Sequence, residues 1–143
     1  MRPVATSFSG VVPAPIEKVF ALLTDPARIQ HWLPGCRTVK PHTPGPLTKG
    51  SRLSVWFGKR ATTLEIIELS PPTAFSWADR EKRIGSQTQF KLQFAGGTTI
   101  VTMRDVWIPM SLGHLLRGRL LGRRNSRRTF EAVLDNLRYL ALR

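Results

Sequence analysis

The apolar residues at the end of the chain, Phe130, Val133, Leu134, Leu137, Leu140 and Ala141, recur at steps of three and four, which places them on one stripe of an α-helix. Arg128, Glu131, Asp135 and Arg138 fall on the opposite side, where they stay in water. Asn125 or Ser126 is the predicted cap, since a side-chain oxygen there accepts amide hydrogens that the first turn leaves unpaired. No Gly or Pro interrupts the stretch after Gly122, and the helix is predicted over 125–143. A helix of this length cannot bury its apolar face alone, so the upstream chain must supply a surface for it.

That upstream chain reads mostly as strands. Residues 4–12 alternate loosely through Val4, Thr6, Phe8, Gly10 and Val12, and Pro13-Ala14-Pro15 stops them. Ile16, Val19, Phe20 and Leu23 form the buried stripe of a short helix, with Pro15 near its first turn, where a missing amide hydrogen costs little. Asp25-Pro26 signals a second helix, capped by Asp25 and turning Ile29, Trp32 and Leu33 inward, which Pro34-Gly35 ends. Cys36 to Pro41 reads as a short strand and Pro41 to Gly50 as a loop. Leu53, Val55 and Phe57 alternate with Arg52, Ser54 and Trp56 before Gly58-Lys59 reverses the chain into a strand over 61–69. Ser70-Pro71-Pro72-Thr73 is a turn, and 74–80 a strand with Phe75 and Trp77 on one face. Gln87–Phe94 sets Phe90, Leu92 and Phe94 against Gln89, Lys91 and Gln93, and Ala95-Gly96-Gly97 turns it into a last strand over 98–108. Six to seven strands on short turns predict an antiparallel meander, because parallel pairs need long crossovers. The fold class is α+β: a curved antiparallel sheet closed over one long C-terminal helix, with two short helices after the first strand.

The link into the terminal helix, 109–124, has a different texture. Leu112, Leu115, Leu116 and Leu120 can share a helical face, but Arg119 and Arg123 land in the same stripe. Gly113, Gly118 and Gly122 weaken a helix there by ~1 kcal/mol each relative to Ala. The link reads as a mobile or partly helical flap, half apolar and half cationic.

A chain of 143 residues that is 41% hydrophobic is expected to form a single domain, 1–143, with a real core. The longest unbroken apolar run, Val19 to Leu23, is far too short for a membrane span, and the first residues lack the apolar block of a secretory signal. A single cysteine, Cys36, excludes an internal disulfide framework and fits a reducing cytoplasm; it reads as a partly buried thiol after a turn. The charge alters the picture more: 22 Lys plus Arg against 9 Asp plus Glu give +13, a surface that draws polyanions. Arg117, Arg119, Arg123, Arg124, Arg127 and Arg128 form a run without an acid. Against nucleic acid this run supplies phosphate neutralisation only, with no base-reading aromatics interleaved, so a nucleic-acid partner is not expected. Arginines beside leucines suit an anionic membrane surface better, and a merely solvated cationic face is the plain alternative. Nothing in the sequence sets an oligomeric state.

The order of elements, and several local stretches, resemble the START-like (SRPBCC) superfamily with its helix-grip fold, which includes polyketide cyclases/dehydrases, lipid-transfer domains and pollen-allergen relatives. Pro13-Ala14-Pro15-Ile16-Glu17-Lys18-Val19-Phe20-Ala21-Leu22-Leu23-Thr24-Asp25-Pro26 followed by Trp32-Leu33-Pro34-Gly35 is similar to the family's helical opening. Glu68-Leu69-Ser70-Pro71-Pro72 before Phe75-Ser76-Trp77 is similar to its central turn, and Gly96-Gly97-Thr98 with Asn136-Leu137 to its C-terminal half. The resemblance covers nearly the whole chain. It implies a cavity between sheet and terminal helix that holds a hydrophobic or amphipathic small molecule. It also implies wall candidates: Trp77, Phe90, Leu92 and Phe94 from the sheet, Thr102 and Arg104 from the last strand, His114 beside the mouth, and Phe130, Leu134 and Leu137 from the helix.

No catalytic constellation accompanies these residues. His31, His42 and His114 lie far apart and lack metal-ligand spacing, so no metal or cofactor is expected and surface or loop positions are the simpler reading. Arg104 is either a buried cation needing an acidic partner or an anionic ligand, or a solvated arginine, depending on which face of its strand turns inward. Glu65 and Glu68, an odd number apart, are expected on opposite faces, and Asp79 and Glu81 near a strand end in water. Three functions remain open: carriage or sensing of a hydrophobic ligand, with the flap gating access; a cyclase or dehydratase reaction in the same cavity; and binding to an anionic surface through the C-terminal arginines.

Overall fold

The chain runs β1 (Val4–Val12), α1 (Ile16–Thr24), α2 (Pro26–Trp32), β2 (Thr38–Pro41), β3 (Arg52–Phe57), β4 (Arg60–Ser70), β5 (Ala74–Asp79), β6 (Gln87–Ala95), β7 (Thr98–Trp107) and α3 (Arg123–Ala141). This is seen in a computed structural model that describes residues 3–80, 86–107 and 123–143. The strands pair in the order β1-β7-β6-β5-β4-β3-β2, each neighbour antiparallel, so the predicted meander and the helix-grip arrangement are both present. Hairpins turn at Gly58 and Gly96, whose φ of 68° and 67° lies in the left-handed region that only glycine enters at little cost.

The register lays the face that meets the helices out in rows. Phe8, Met103, Phe90, Phe75 and Leu69 form one row across β1, β7, β6, β5 and β4, entirely apolar. Thr6, Asp105, Thr88, Trp77 and Ile66 form the next, and Val4 and Trp107 continue beyond it. On the other side lie Gly10, Val101 and Leu92, then Val12, Thr99 and Phe94. Alternation thus sends Val101, Met103, Asp105 and Trp107 of β7 inward and Ile100, Thr102, Arg104 and Val106 outward.

Among the described residues, three helices close this inner face. Asp25 caps α2 as its sequence predicts: Oδ1 accepts from the Ala27 amide at 3.0 Å, with Pro26 at the first helical position. Trp32, at the end of α2, is fully buried; its indole donates to the Leu22 carbonyl of α1 at 3.0 Å, and its ring stacks on Trp77 at 5.7 Å. Helix α3 lies along β1, with Phe130 stacked on Phe8 at 6.1 Å and Leu134 over Gly10. A Cβ on Gly10 would sit 2.3 Å from Leu134 Cδ2, so glycine is what lets the helix come this close. Four bonds fix the helix: Asn136 Nδ2 donates to the Trp32 carbonyl at 3.1 Å, Arg138 Nε to the Val11 carbonyl at 2.9 Å, and Lys18 Nζ to the carbonyls of Ala141 at 2.7 Å and Arg143 at 3.3 Å.

Two expectations need correction. The helix starts at Arg123, so Asn125 and Ser126 lie within it and are not its caps; the predicted flap therefore loses Arg123 and Arg124 to α3, and the rest of it lies outside the described residues. Glu65 and Glu68 do not point apart. A bulge between Ile66 and Glu68 adds one residue to β4 and resets the alternation, so both pair with outward positions of β5, Ala78 and Ser76. On that outer face Glu65 accepts from Arg52 Nε at 3.1 Å and Arg80 Nη2 at 2.6 Å. The Arg80 hydrogen bond, with help from Arg52, holds the Glu65 carboxyl below its ordinary 4.5.

Replacing Trp32 with Phe should cost about 1–3 kcal/mol in urea unfolding, the loss of the bond to a buried carbonyl, whereas Ala should cost about 3–5 kcal/mol through the cavity. Equal costs for the two variants would mean that the indole hydrogen bond contributes nothing. A carboxyl with a depressed folded pKa stabilises above its unfolded pKa and loses that contribution as pH falls through the folded one. The melting temperature of wild type should therefore exceed that of Glu65→Gln at neutral pH. The gap should close as pH drops well below 4.5; a gap that is constant with pH would contradict the ion-pair assignment.

Candidate functional site

The space bounded by the inner face, α2 and α3 has two halves with different chemistry. One is a packed aromatic block. Trp32 meets Phe90 edge-on at 5.5 Å, Phe75 stacks on Phe90 at 5.8 Å and meets Trp77 edge-on at 5.2 Å, and Leu92, Val101 and Met103 extend the block toward α1. Such offset and edge-on pairs add about 0.5–1.5 kcal/mol each to the area they bury. The buried Thr99 hydroxyl donates to the Ala14 carbonyl at 2.8 Å and ties the start of α1 to β7.

The other half, toward the N-terminal end of β1, is half-buried and mixed in character. Val4, Thr6, Phe8, Thr88, Asp105 and Trp107 line it, all only partly covered, beside the first turns of α3. Thr88 donates to Asp105 Oδ1 at 3.0 Å across the β6–β7 ladder. Further along, the buried Asp79 accepts from Thr62 at 3.0 Å. Both carboxylates also engage other groups of the protein. Thr6 Oγ1, opposite Asp105 on β1, is out of water's reach and has no hydrogen-bond partner among the described residues. In the neighbouring row the Arg127 guanidinium lies over the Phe8 ring at 5.7 Å.

The structure turns six of the wall candidates inward: Trp77, Phe90, Leu92, Phe130, Leu134 and Leu137 are all buried between sheet and helices. Trp77 and Phe90 do so as members of the aromatic block, with Trp32 against both rings. Phe94 does not join them. It shares their alternation but sits at the end of β6, past the helical cover, and is 68% exposed. Thr102 and Arg104 are on the outer face, where Thr102 shares a hydrogen bond with Ser9 at 2.7 Å and Arg104 is solvated. His114 lies outside the described residues. His31 and His42 are exposed, the latter hydrogen-bonded to Ser54 at 2.8 Å, as their reading as surface histidines expects.

Asp105, Thr88 and Thr6 were not among the candidates, and Asp79, expected in water, is buried. The signal for Asp105 was present: it shares parity with Val101, Met103 and Trp107, so fixing the inward set of β7 fixes Asp105 as well. Cys36 is a half-buried thiol whose Sγ faces the Thr38 carbonyl at 3.7 Å, and burial raises its pKa. That makes it a weak nucleophile. Among the described residues no group of His, Cys, Asp and Glu has the arrangement of a metal site, and no helix is long and apolar enough to cross a membrane.

The outer face carries a depression of about 580 Å³ lined by polar Glu68, Ser70, Thr73, Lys91, Gln93 and Thr102 and by Ala74 and Leu92. Open and on the solvent side of the sheet, it lacks the enclosure of a small-molecule pocket.

Solved structures share this architecture. The di-domain ARO/CYC BexL from the BE-7585A biosynthetic pathway superposes with a TM-score of 0.77 at 19% identity, over 96% of this chain and 46% of that one, so the chain spans about half the length of BexL. Protein CV1439 from Chromobacterium violaceum gives 0.70 at 18% identity over 96% of both chains. Ara h 8.0201 gives 0.66 at 13% identity over 95% of this chain and 98% of that one. At these identities the likeness is one of fold. No curated protein matches the sequence. The family described as polyketide cyclase / dehydrase and lipid transport, in contrast, matches residues 4–141, and the chain belongs to it.

Proposed function

We propose that the chain binds a hydrophobic or amphipathic small molecule between the inner face of the sheet and α3, as a carrier or sensor. The observation that supports this best is the half-buried patch of Phe8, Thr88, Asp105 and Trp107, which continues the apolar wall beyond the aromatic block. A core that served packing alone would place apolar residues in those rows; here polar groups on an apolar wall give a ligand both area and orientation. Membership of a family described by cyclase, dehydrase and lipid transport agrees with such a ligand. Carriage or sensing is preferred to a cyclase-type reaction. Among the described residues no histidine faces the interior, and Arg104, the cation that could have held an enolate, is on the outer face. A docking role for the C-terminal arginines on an anionic membrane is compatible with loading but is not needed for binding.

Native mass spectrometry of freshly purified protein, followed by organic extraction, should find an apolar molecule carried at up to one per chain. Protein stripped of it should take up N-phenyl-1-naphthylamine saturably. Met103→Trp, which adds bulk in the middle of the wall, should weaken the dye about tenfold, a change of roughly 1.4 kcal/mol, while unfolding stays cooperative. An empty protein that takes up no dye would end this reading.

A further inference from the structure

β1 and β2 are the two edges of the sheet, and the chain treats them differently. β2 is four residues long and carries Lys40 and Pro41, a charge and a missing amide hydrogen that both discourage strand addition. β1 is nine residues long, has no charge and no proline, and keeps an unbroken register against β7. Which of its backbone groups face the open side follows from one bond. Leu92 donates to the Thr73 carbonyl at 2.8 Å, one residue beyond the Ala74–Lys91 pair, so Leu92 and Phe90 bond toward β5 while Lys91 and Gln89 bond toward β7. Carried through the register, Thr102 and Arg104 bond to β6, whereas Val101 and Met103 bond to Gly10 and Phe8 of β1. Ala5, Ser7, Ser9 and Val11 are left with their N–H and C=O groups on the open side. The Val11 carbonyl confirms this phase by accepting from Arg138 Nε at 2.9 Å. Among the described residues no backbone group bonds those of Ala5, Ser7 and Ser9 from that side. Their side chains are small and exposed, and beside Ser7 on the same outer face stands the solvated Arg104.

We propose that this edge docks an extended acidic segment of another protein as an eighth strand, which takes up the free backbone groups of Ala5, Ser7 and Ser9. Main-chain bonds give such a strand its affinity, and alternate side chains give it selectivity. The residue of the added strand opposite Ser7 lies two strand spacings, about 10 Å, from Arg104. Ser7 is too small to stand between them, and an arginine and a glutamate together reach across. No acid lies along β1, in a chain of 22 basic and 9 acidic residues, and this sets the sign of the partner. A second copy of the chain fits less well. Phe130 and Leu134 place α3 over Phe8 and Gly10, so two β1 edges at a strand spacing of ~5 Å would force two helices inside the ~8–10 Å that packed helices keep. The docking does not depend on the ligand-binding reading.

Amide exchange by NMR on the full chain tests this, with a seven-residue peptide alternating Thr and Glu and its Thr–Lys counterpart. The Thr–Glu peptide should slow exchange at Ala5, Ser7 and Ser9 and leave Thr6 and Phe8, already bonded to β7, unchanged. It should bind about fivefold or more tightly than the Thr–Lys peptide at low salt, a gap that added salt narrows. Arg104→Gln should narrow the same gap about twofold to fivefold. Ser7→Pro removes an N–H that the sheet does not use, so it should keep a cooperative melt while weakening the Thr–Glu peptide about tenfold. If Ser7→Pro does not fold, the two peptides on wild type and on Arg104→Gln decide. No protection of these amides, equal or tighter binding of the Thr–Lys peptide, or a gap that ignores Arg104→Gln overturns the proposal. A concentration-dependent dimer that protects the same amides without peptide overturns it too, by giving the edge to a second copy.

Discussion

Four elements that shape the interior, α1, α3, β5 and β6, meet at Trp32. Its indole nitrogen is bonded to α1 through the Leu22 carbonyl, its own carbonyl accepts from Asn136 of α3, and its ring stacks on Trp77 of β5 and abuts Phe90 of β6. A residue at the end of a seven-residue helix could not hold this position on helical propensity, because a helix so short is marginal without tertiary support. It is held by burial. A large aromatic that is fully enclosed supplies both apolar area and ring–ring contacts, and its one polar atom has a partner. The consequence for function is geometric. With Trp32 wedged against the sheet, one half of the inner face is filled, and on β1 and β7 the partly covered side chains are confined to the rows toward the N-terminal end of β1.

That confinement gives the inner face a direction. From the α1 end, rows pass from Val12 and Thr99 through the aromatic block to Thr6, Asp105 and Thr88, and burial falls along the same line. Gly10 belongs to the same design: by omitting a side chain it lets Leu134 of α3 pack down onto β1. The four bonds from Lys18, Asn136 and Arg138 act on the middle and C-terminal end of α3, so the helix is tied most firmly where the interior is packed.

The fold was legible because its strongest signals are periodic. The three-four spacing from Phe130 to Ala141 and the two-residue alternation of Gln87–Ala95 are set by burial on one side, and a slip of one residue would expose a whole set of apolar side chains. What could not be read were the places where alternation is broken or its phase is undetermined. One inserted residue in β4 turned Glu65 and Glu68 to the same side, which no count of spacing anticipates. On β7 both faces carry apolar residues, Ile100 and Val106 against Val101 and Met103, so the phase of that strand came only from its neighbours, and with it the outward place of Thr102 and Arg104 and the inward place of Asp105. Phe94 failed differently: its phase was right, but a strand can outrun the helices that cover it. The start of α3 shows the weakness of cap signals inside an arginine-rich stretch, where Asn125 and Ser126 looked like a boundary and are the first turn.

The separation between surface and interior charge follows from distance. Exposed arginines on α3 act through water, where the field falls off within a Debye length of about 8 Å at physiological ionic strength, so they bias which molecules approach and little else. Contacts on the half-covered inner wall, where Thr88 donates to Asp105 at 3.0 Å, act at shorter range and are screened less by solvent. Net charge, the most conspicuous property of the sequence, therefore informs on encounter and says little about the inner face.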